Sequence, residues 1–122
     1  MLLITLTHPN NETILMSVDD YFYHYKAPRE EYTSIVVSKG AKVLVQETPE
    51  IVSSRLAEFG LKLGTLTHPN LQCEIFFSGK NYFYSYYSKN HKSTQVIGLG
   101  GAFFPCVELD TQVRAQLGQG VE

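Results

Sequence analysis

The pentapeptide LTHPN occurs twice in this chain of 122 residues, at residues 6–10 and again at residues 66–70. When the two copies are aligned and a one-residue length difference is allowed, ten of the 36 positions over residues 21–56 are identical in the second copy. Chance would give roughly one identity in 17 positions at average residue usage. The repetition therefore predicts an internal duplication, with unit 1 over residues 1–60 and unit 2 over residues 61–122.

Each unit begins with residues that favour antiparallel strands. Residues 2–7 are apolar and β-branched, and His8-Pro9-Asn10-Asn11 has the composition of a reverse turn. Residues 21–25 predict an aromatic strand, and the glycine within residues 39–41 predicts a hairpin. A unit of about 60 residues buries too little surface to be stable alone, so we expect the two units to share a core in a pseudo-twofold arrangement, or to pair between chains.

A short helix is predicted at the end of each unit. Thr48 is a favourable N-cap residue, and the proline that follows it suits the first helical turn, which predicts a helix over about residues 49–59. In unit 2, Asp110 can cap a helix over about residues 111–117, which Gly118 would end. The predicted fold class is α+β, rich in β-strands, with two tandem repeats of hairpins followed by a helix.

Composition and charge exclude several classes of protein. The chain is 43% hydrophobic and 18% charged, which is typical of a folded protein, and its net charge of -2 argues against binding to duplex DNA. It contains no apolar run of the roughly 18 residues that a membrane-spanning helix needs, and its first residues do not have the pattern of a signal peptide. We therefore expect a cytoplasmic protein that is not inserted in a membrane.

The sequence predicts no catalytic residue, no metal site and no cofactor. His8 and His68 occupy equivalent turn positions without cysteine or carboxylate at ligand spacing, so they are interpreted as turn residues. Cys73 and Cys106 are too few for a disulfide framework and are expected to be reduced thiols. No nucleophile-elbow or papain-like motif is present, which favours a protein that is not an enzyme.

The end of unit 1 resembles a known family. Residues 43–56 read VLVQETPEIVSSRL, and together with the preceding hairpin and strands they resemble the small FlbD-type flagellar and swarming-motility proteins. The resemblance covers residues 2–58, and unit 2 more loosely. It implies the fold described above and a role as a non-catalytic protein-interaction or assembly module, and it brings no catalytic residues with it.

Tyrosine-rich strands are the one feature that exceeds ordinary structural needs. Alternation along a strand would place three tyrosines side by side in each unit, and tyrosine offers a flat ring for stacking with a polar tip. These strands are interpreted either as an interface between units or subunits, or as a platform for a planar ligand, for which arginine or lysine would bind phosphate. The candidate ligand-binding residues are Tyr21, Tyr23, Tyr25, Tyr82, Phe83, Tyr84, Tyr86, Arg55, Asn90, Lys92 and Arg114.

Three functions are compatible with these residues. The first is a small homo-oligomeric protein that binds or sequesters a nucleotide-like anion, as cyclic-nucleotide sponges do. The second is a protein-interaction or assembly module of the FlbD type, with a protein partner on the tyrosine strands. The third is a binder of single-stranded nucleic acid, which the net negative charge disfavours.

Overall fold

The computed structural model describes residues 2–121, and the side chains among them up to residue 117. In that part of the chain, five strands and one helix follow each other twice, with a 3₁₀ turn between the second and third strand of each series. The strands are β1 (Leu3–Thr7), β2 (Thr13–Ser17), β3 (Tyr21–Tyr25), β4 (Thr33–Val37), β5 (Lys42–Val45), β6 (Leu63–Thr67), β7 (Glu74–Ser78), β8 (Tyr82–Ser88), β9 (Ser93–Gly98) and β10 (Phe103–Cys106), and the helices are α1 (Pro49–Ala57) and α2 (Asp110–Val121). The predicted β-rich class with antiparallel sheets and two helices is confirmed.

The strands form three antiparallel sheets. One has five strands in the order β5-β4-β3-β7-β6 and thus joins three strands of unit 1 to two of unit 2, one has the order β10-β9-β8, and one consists of β1 and β2. At the junction between the units, residues 23–25 of β3 lie opposite residues 77–75 of β7. Among the described residues, β2 pairs only with β1 and β8 pairs only with β9. A twofold exchange of the units would also pair β8 with β2, so the strand pairing does not show the pseudo-twofold arrangement that we expected.

The two LTHPN segments form the β1-β2 and β6-β7 turns, and each histidine serves its own turn. The Nδ1 atom of His8 accepts a hydrogen bond from the backbone amide of Asn10 at 3.2 Å, and His68 accepts one from the amide of Asn70 at 3.1 Å. A side-chain acceptor for a turn amide stabilises the reversal of the chain locally. This contact explains why histidine stands at both positions.

Helix α1 follows the local signals closely. The Thr48 hydroxyl oxygen accepts a hydrogen bond from the amide of Ile51 at 3.3 Å, and Val52 and Leu56 are buried. Gly60 has φ +87°, the left-handed conformation that favours glycine after a helix. Helix α2 starts at Asp110 and continues to residue 121, beyond the predicted end at residue 117. A glycine inside a helix costs only about 1 kcal/mol relative to alanine, so glycine alone does not stop one. Neither helix within residues 2–121 has the length and apolar character needed to cross a membrane.

Two hydrophobic cores hold the sheets together. The first core belongs to unit 1 and packs β1, β2 and α1 onto one side of β3 and β4; its members are Ile4, Leu6, Met16, Val18, Tyr21, Ile35, Val45, Val52 and Leu56. The second core adds three residues of unit 1 to nine of unit 2; its members are Phe22, Tyr23, Val36, Leu66, Ile75, Phe77, Val96, Ala102, Phe104, Cys106, Val113 and Leu117. Strand β3 therefore contributes side chains to both cores.

Candidate functional site

A bulge in β3 separates the tyrosines that the sequence placed on one face. The register with β4 shifts between Tyr21 and Tyr23, so that Phe22 is an extra residue in the ladder. Tyr21 packs in the first core, and its hydroxyl oxygen lies 2.9 Å from the carbonyl oxygen of Phe76. Tyr23 packs in the second core instead. The expectation that Tyr21, Tyr23 and Tyr25 share a face is therefore wrong for Tyr21.

Strand β8 has the same irregularity, between Tyr82 and Tyr84. The Tyr82 ring packs against the second core, and its hydroxyl oxygen lies 2.8 Å from the Ser85 hydroxyl oxygen. Tyr84 and Tyr86 point to the other side, where their rings stack with centroids 6.0 Å apart and planes 16° apart. The Tyr23 and Tyr25 rings have the same spacing and angle. The two units thus build the same aromatic pair on equivalent strands.

The two aromatic pairs, and the phenylalanine that precedes each of them, differ in what covers them. Phe22 is 0% exposed and its equivalent Phe83 is 61% exposed; Tyr23 is 9% exposed and its equivalent Tyr84 is 44% exposed. Unit 2 covers the first pair: the Tyr23 ring lies 4.7 Å from the Phe104 ring, and its hydroxyl donates to the Phe103 carbonyl at 3.1 Å. No described residue covers the second pair in this way. We call Phe83, Tyr84 and Tyr86 the β8 aromatic face.

A half-open cleft of about 480 Å³ lies beside this face, in the size range of small-molecule sites. Its walls come from the outer side of β8, β9 and β10 and from the second LTHPN turn. The lining residues are Pro69, Asn70, Tyr84, Tyr86, His91, Ser93, Gln95, Ile97, Phe103 and Pro105. The cleft therefore offers aromatic rings, amides, hydroxyls and one imidazole, and its lining includes no lysine or arginine.

The cations that the sequence proposed as phosphate ligands lie elsewhere. The Arg55 guanidinium donates to the Glu47 carboxylate at 3.0 Å and to the Thr5 carbonyl at 2.6 Å. Arg114 forms an ion pair with Asp110 at 2.9 Å. Neither side chain lines the cleft, and each forms an ion pair with a carboxylate of its own unit.

The β8–β9 connection brings two more predicted residues near the cleft. Asn90 and Lys92 are exposed on either side of His91, whose ring lines the cleft. Lys92 has φ +53°, and His91 Nδ1 lies 2.9 Å from the Ser88 hydroxyl oxygen. Sequence reasoning did not single out the β9 and β10 residues of the lining. Their alternation, with Gln95 and Ile97 on one side of β9, was the signal that could have found them.

Residues with strongly shifted pKa values lie in the cores rather than in the cleft. Burial lowers the pKa of His24 to about 4, partly offset by its hydrogen bond to the Pro49 carbonyl. Burial also raises the pKa of the Cys106 thiol to about 12. Within the described residues, no group of three or more His, Cys, Asp or Glu side chains is arranged to hold a metal ion.

No protein-family model, no curated protein and no solved structure matches this chain. The resemblance to FlbD-type proteins stays a prediction.

Proposed function

We propose that this protein is a non-catalytic assembly module and that the β8 aromatic face is its binding surface for another protein chain. The observation that carries the proposal is the contrast in exposure between equivalent residues, with Phe22 at 0% and Phe83 at 61%. In unit 1, the aromatic pair is covered by protein. The same residues at the equivalent place in unit 2 are suited to the same kind of cover.

The chemistry of the face favours a protein partner. Phe83 and Tyr84 meet edge to face with ring centroids 5.1 Å apart, and Phe103 is exposed on β10 of the same sheet. Clustered exposed aromatic residues are typical of the central part of protein interfaces, where they bury a large area with few rotatable bonds. A phosphate-bearing ligand would instead favour lysine or arginine, and the cleft lining contains neither. The FlbD resemblance implies the same kind of role.

Gentle purification followed by native mass spectrometry tests this function. We expect the wild-type chain to be recovered in a complex with protein, either further copies or another polypeptide, and we expect Phe83→Ser to lose it. Leu109→Ser is the matched control, because Leu109 is as exposed as Phe83 but lies between β10 and α2. A wild-type chain that is monomeric and free of protein would contradict the proposal. Equal loss of the complex in both variants would also contradict it.

A second candidate function is the binding of a nucleotide-like small molecule. The cleft of about 480 Å³ favours it, because the stacked Tyr84 and Tyr86 rings stand beside the amides of Asn70 and Gln95, which suit the edge of a base. Lys92, next to the cleft residue His91 in the chain, is a candidate for a phosphate. This function predicts that denaturing the purified protein releases a compound absorbing at 260 nm, and that Tyr84→Ala abolishes its binding. A chain that releases none and ignores a panel of nucleotides would exclude it.

A further inference from the structure

Five of the ten strands lie outside the five-stranded sheet, in a sheet of three strands and a sheet of two. Unit 1 contributes β5, β4 and β3 to a sheet that the β7-β6 hairpin of unit 2 completes to five strands. The corresponding three strands of unit 2, β10, β9 and β8, end at β8 without such a hairpin, while the β1-β2 hairpin of unit 1 forms a sheet of its own. Three strands and two strands would complete a second sheet of the same order. Open strand edges of this kind are templates for pairing with another chain.

The order of elements makes β2 the equivalent of β7, and β8 the equivalent of β3. Residues 23–25 of β3 lie opposite residues 77–75 of β7. Transferred to the equivalent strands, that register places residues 84–86 of β8 opposite residues 16–14 of β2. The in-chain β2 pairs with β1 alone within the described residues, so a β2 strand that paired with β8 would come from another chain.

Exposed apolar side chains lie on the β1-β2 hairpin. Leu15 on β2 is 63% exposed, and Leu3 on β1 is also exposed. Their equivalents in unit 2 are partly buried at the internal junction: the Phe76 ring stacks on His24 with centroids 5.0 Å apart, and Leu63 packs against the first core. The exposed leucines of unit 1 are therefore placed to make the contacts that their counterparts in unit 2 already make.

Charge is complementary as well. At the internal junction, Lys80 in the 3₁₀ turn of unit 2 forms an ion pair with Asp19 in the 3₁₀ turn of unit 1. These two residues occupy equivalent positions of their units. A junction of the same geometry between two chains would bring Lys80 of one copy to Asp19 of the other. Opposite charges would therefore meet there as well.

We propose that β2 of a second copy of this chain pairs with β8, in the same antiparallel manner as β7 pairs with β3, and that copies associate head to tail in this way. The inference rests on the proposed function, since it names the partner of the β8 aromatic face. Each copy brings one β8 edge and one β2 edge to this contact, so the contact is heterologous, and a closed ring of copies pairs every β8 edge with a β2 edge. Within the pair, the turn at His8 of the second copy lies near Tyr86, as His68 lies near Tyr25 with ring centroids 6.4 Å apart.

One difference from the internal junction concerns the hairpin turns: a Cβ atom at Gly100 would overlap with the Ser38 carbonyl oxygen, and the residue equivalent to Gly100 in unit 1 is Lys39, so these turns lie further apart between copies. A second difference concerns the bulge. Phe22 packs against Gly98, where a Cβ atom would come within 2.9 Å of the Phe22 ring, and the residue equivalent to Gly98 in unit 1 is Val37. Phe83 therefore cannot insert as deeply as Phe22 does. The junction between copies then combines a shallower contact of Phe83 with the strand pairing and the contacts of Tyr84 and Tyr86.

Disulfide trapping tests the register directly. A Ser85→Cys chain and a Leu15→Cys chain, both carrying Cys73→Ser to remove the more exposed native thiol, are mixed under mild oxidation. Residues directly opposite on antiparallel strands have Cα atoms about 4.5–5.5 Å apart, within disulfide range. We expect a linked dimer in the mixture and little in either variant alone. Leu44→Cys, on the exposed edge strand β5, replaces Leu15→Cys in the control mixture and should remain unlinked.

Light scattering after size exclusion gives the second measurement. Wild-type chains should elute as an oligomer, and Leu44→Glu should elute like the wild type. Leu15→Glu should elute as a monomer, and circular dichroism should show that this monomer is folded. An oligomer that survives Leu15→Glu and shows no 15–85 link would overturn the inference, while the proposed function stands if Phe83→Ser still disrupts that oligomer. A monomer that binds a different protein through Phe83 would likewise overturn only the inference. A monomer without any protein partner would overturn both.

Discussion

Truncation of the equivalent tyrosines Tyr23 and Tyr84 to alanine should have very different effects on the stability of a single chain. Tyr23 is 9% exposed, and its ring lies 4.7 Å from Phe104 in the second core. Removing a buried aromatic ring costs about 3–5 kcal/mol, from lost apolar burial and from the cavity that remains. The truncation also leaves the Phe103 carbonyl without its hydrogen-bond donor.

Tyr84 is 44% exposed, so about half of its ring is already in water. Its truncation opens no closed cavity, and the main losses are partial burial and the stacking contact with Tyr86. Such a loss is about 1–2 kcal/mol. We therefore expect the free energy of unfolding to fall by about 2 kcal/mol more in Tyr23→Ala than in Tyr84→Ala.

Urea unfolding followed by far-ultraviolet circular dichroism measures both values. Both variants are made in a Leu15→Glu background, so that association does not contribute to the stability of either. Tyr23→Phe serves as a control for the hydroxyl alone and should cost about 1 kcal/mol. Losses that agree within 1 kcal/mol for the two alanine variants would refute the reasoning, because the outer face of β8 would then be as well covered as that of β3.

Three further predictions concern the cores and the hairpin. The pKa of His24 is about 4 in the buried site and about 6.5 in the unfolded chain, so the unfolded chain binds more protons between these pH values. The free energy of unfolding should therefore fall by about 3 kcal/mol from pH 7 to pH 4. Urea titrations of His24→Gln should lose this dependence on pH. Gly98→Ala should lower the free energy of unfolding by about 1–3 kcal/mol, because its Cβ would stand 2.9 Å from the buried Phe22 ring; an unchanged urea midpoint would contradict this. Glu47→Gln should cost about 1–2 kcal/mol by the same assay, since the carboxylate accepts from the Thr7 amide at 2.9 Å and from the Thr7 hydroxyl at 2.8 Å; no loss would mean that these bonds are not significant.

Local signals predicted the elements of this fold well. The turn at His8, the hairpin at Gly40 and the start of α1 at Thr48 each depend on a few neighbouring residues, and all three are present. The site was predicted less completely. Phe83, Tyr84 and Tyr86 were singled out and are exposed, but Tyr21 is buried on the other side of its strand, and Arg55 and Arg114 are ion-paired away from the cleft.

The bulge explains the error at Tyr21. A strict period of two assigns Tyr21, Tyr23 and Tyr25 to one face. The extra residue in the ladder, between Tyr21 and Tyr23, places Tyr21 on the opposite face. The bulge arises from the pairing of β3 with β4, which are distant from each other along the chain at that point. No residue within the strand marks it.

The sequence by itself determined what is local and repeated in this protein: the turns, the helix caps, the aromatic strands and the order of elements in each unit. Tertiary structure alone decided which aromatic strand is covered. The segments YFYHY and YFYSY are almost the same, yet the first is buried and the second has exposed rings. The reason is that burial depends on a partner from far along the chain. Strand β3 has β7 and β10 of unit 2 against it, whereas among the described residues β8 pairs with β9 alone and its outer face stays exposed.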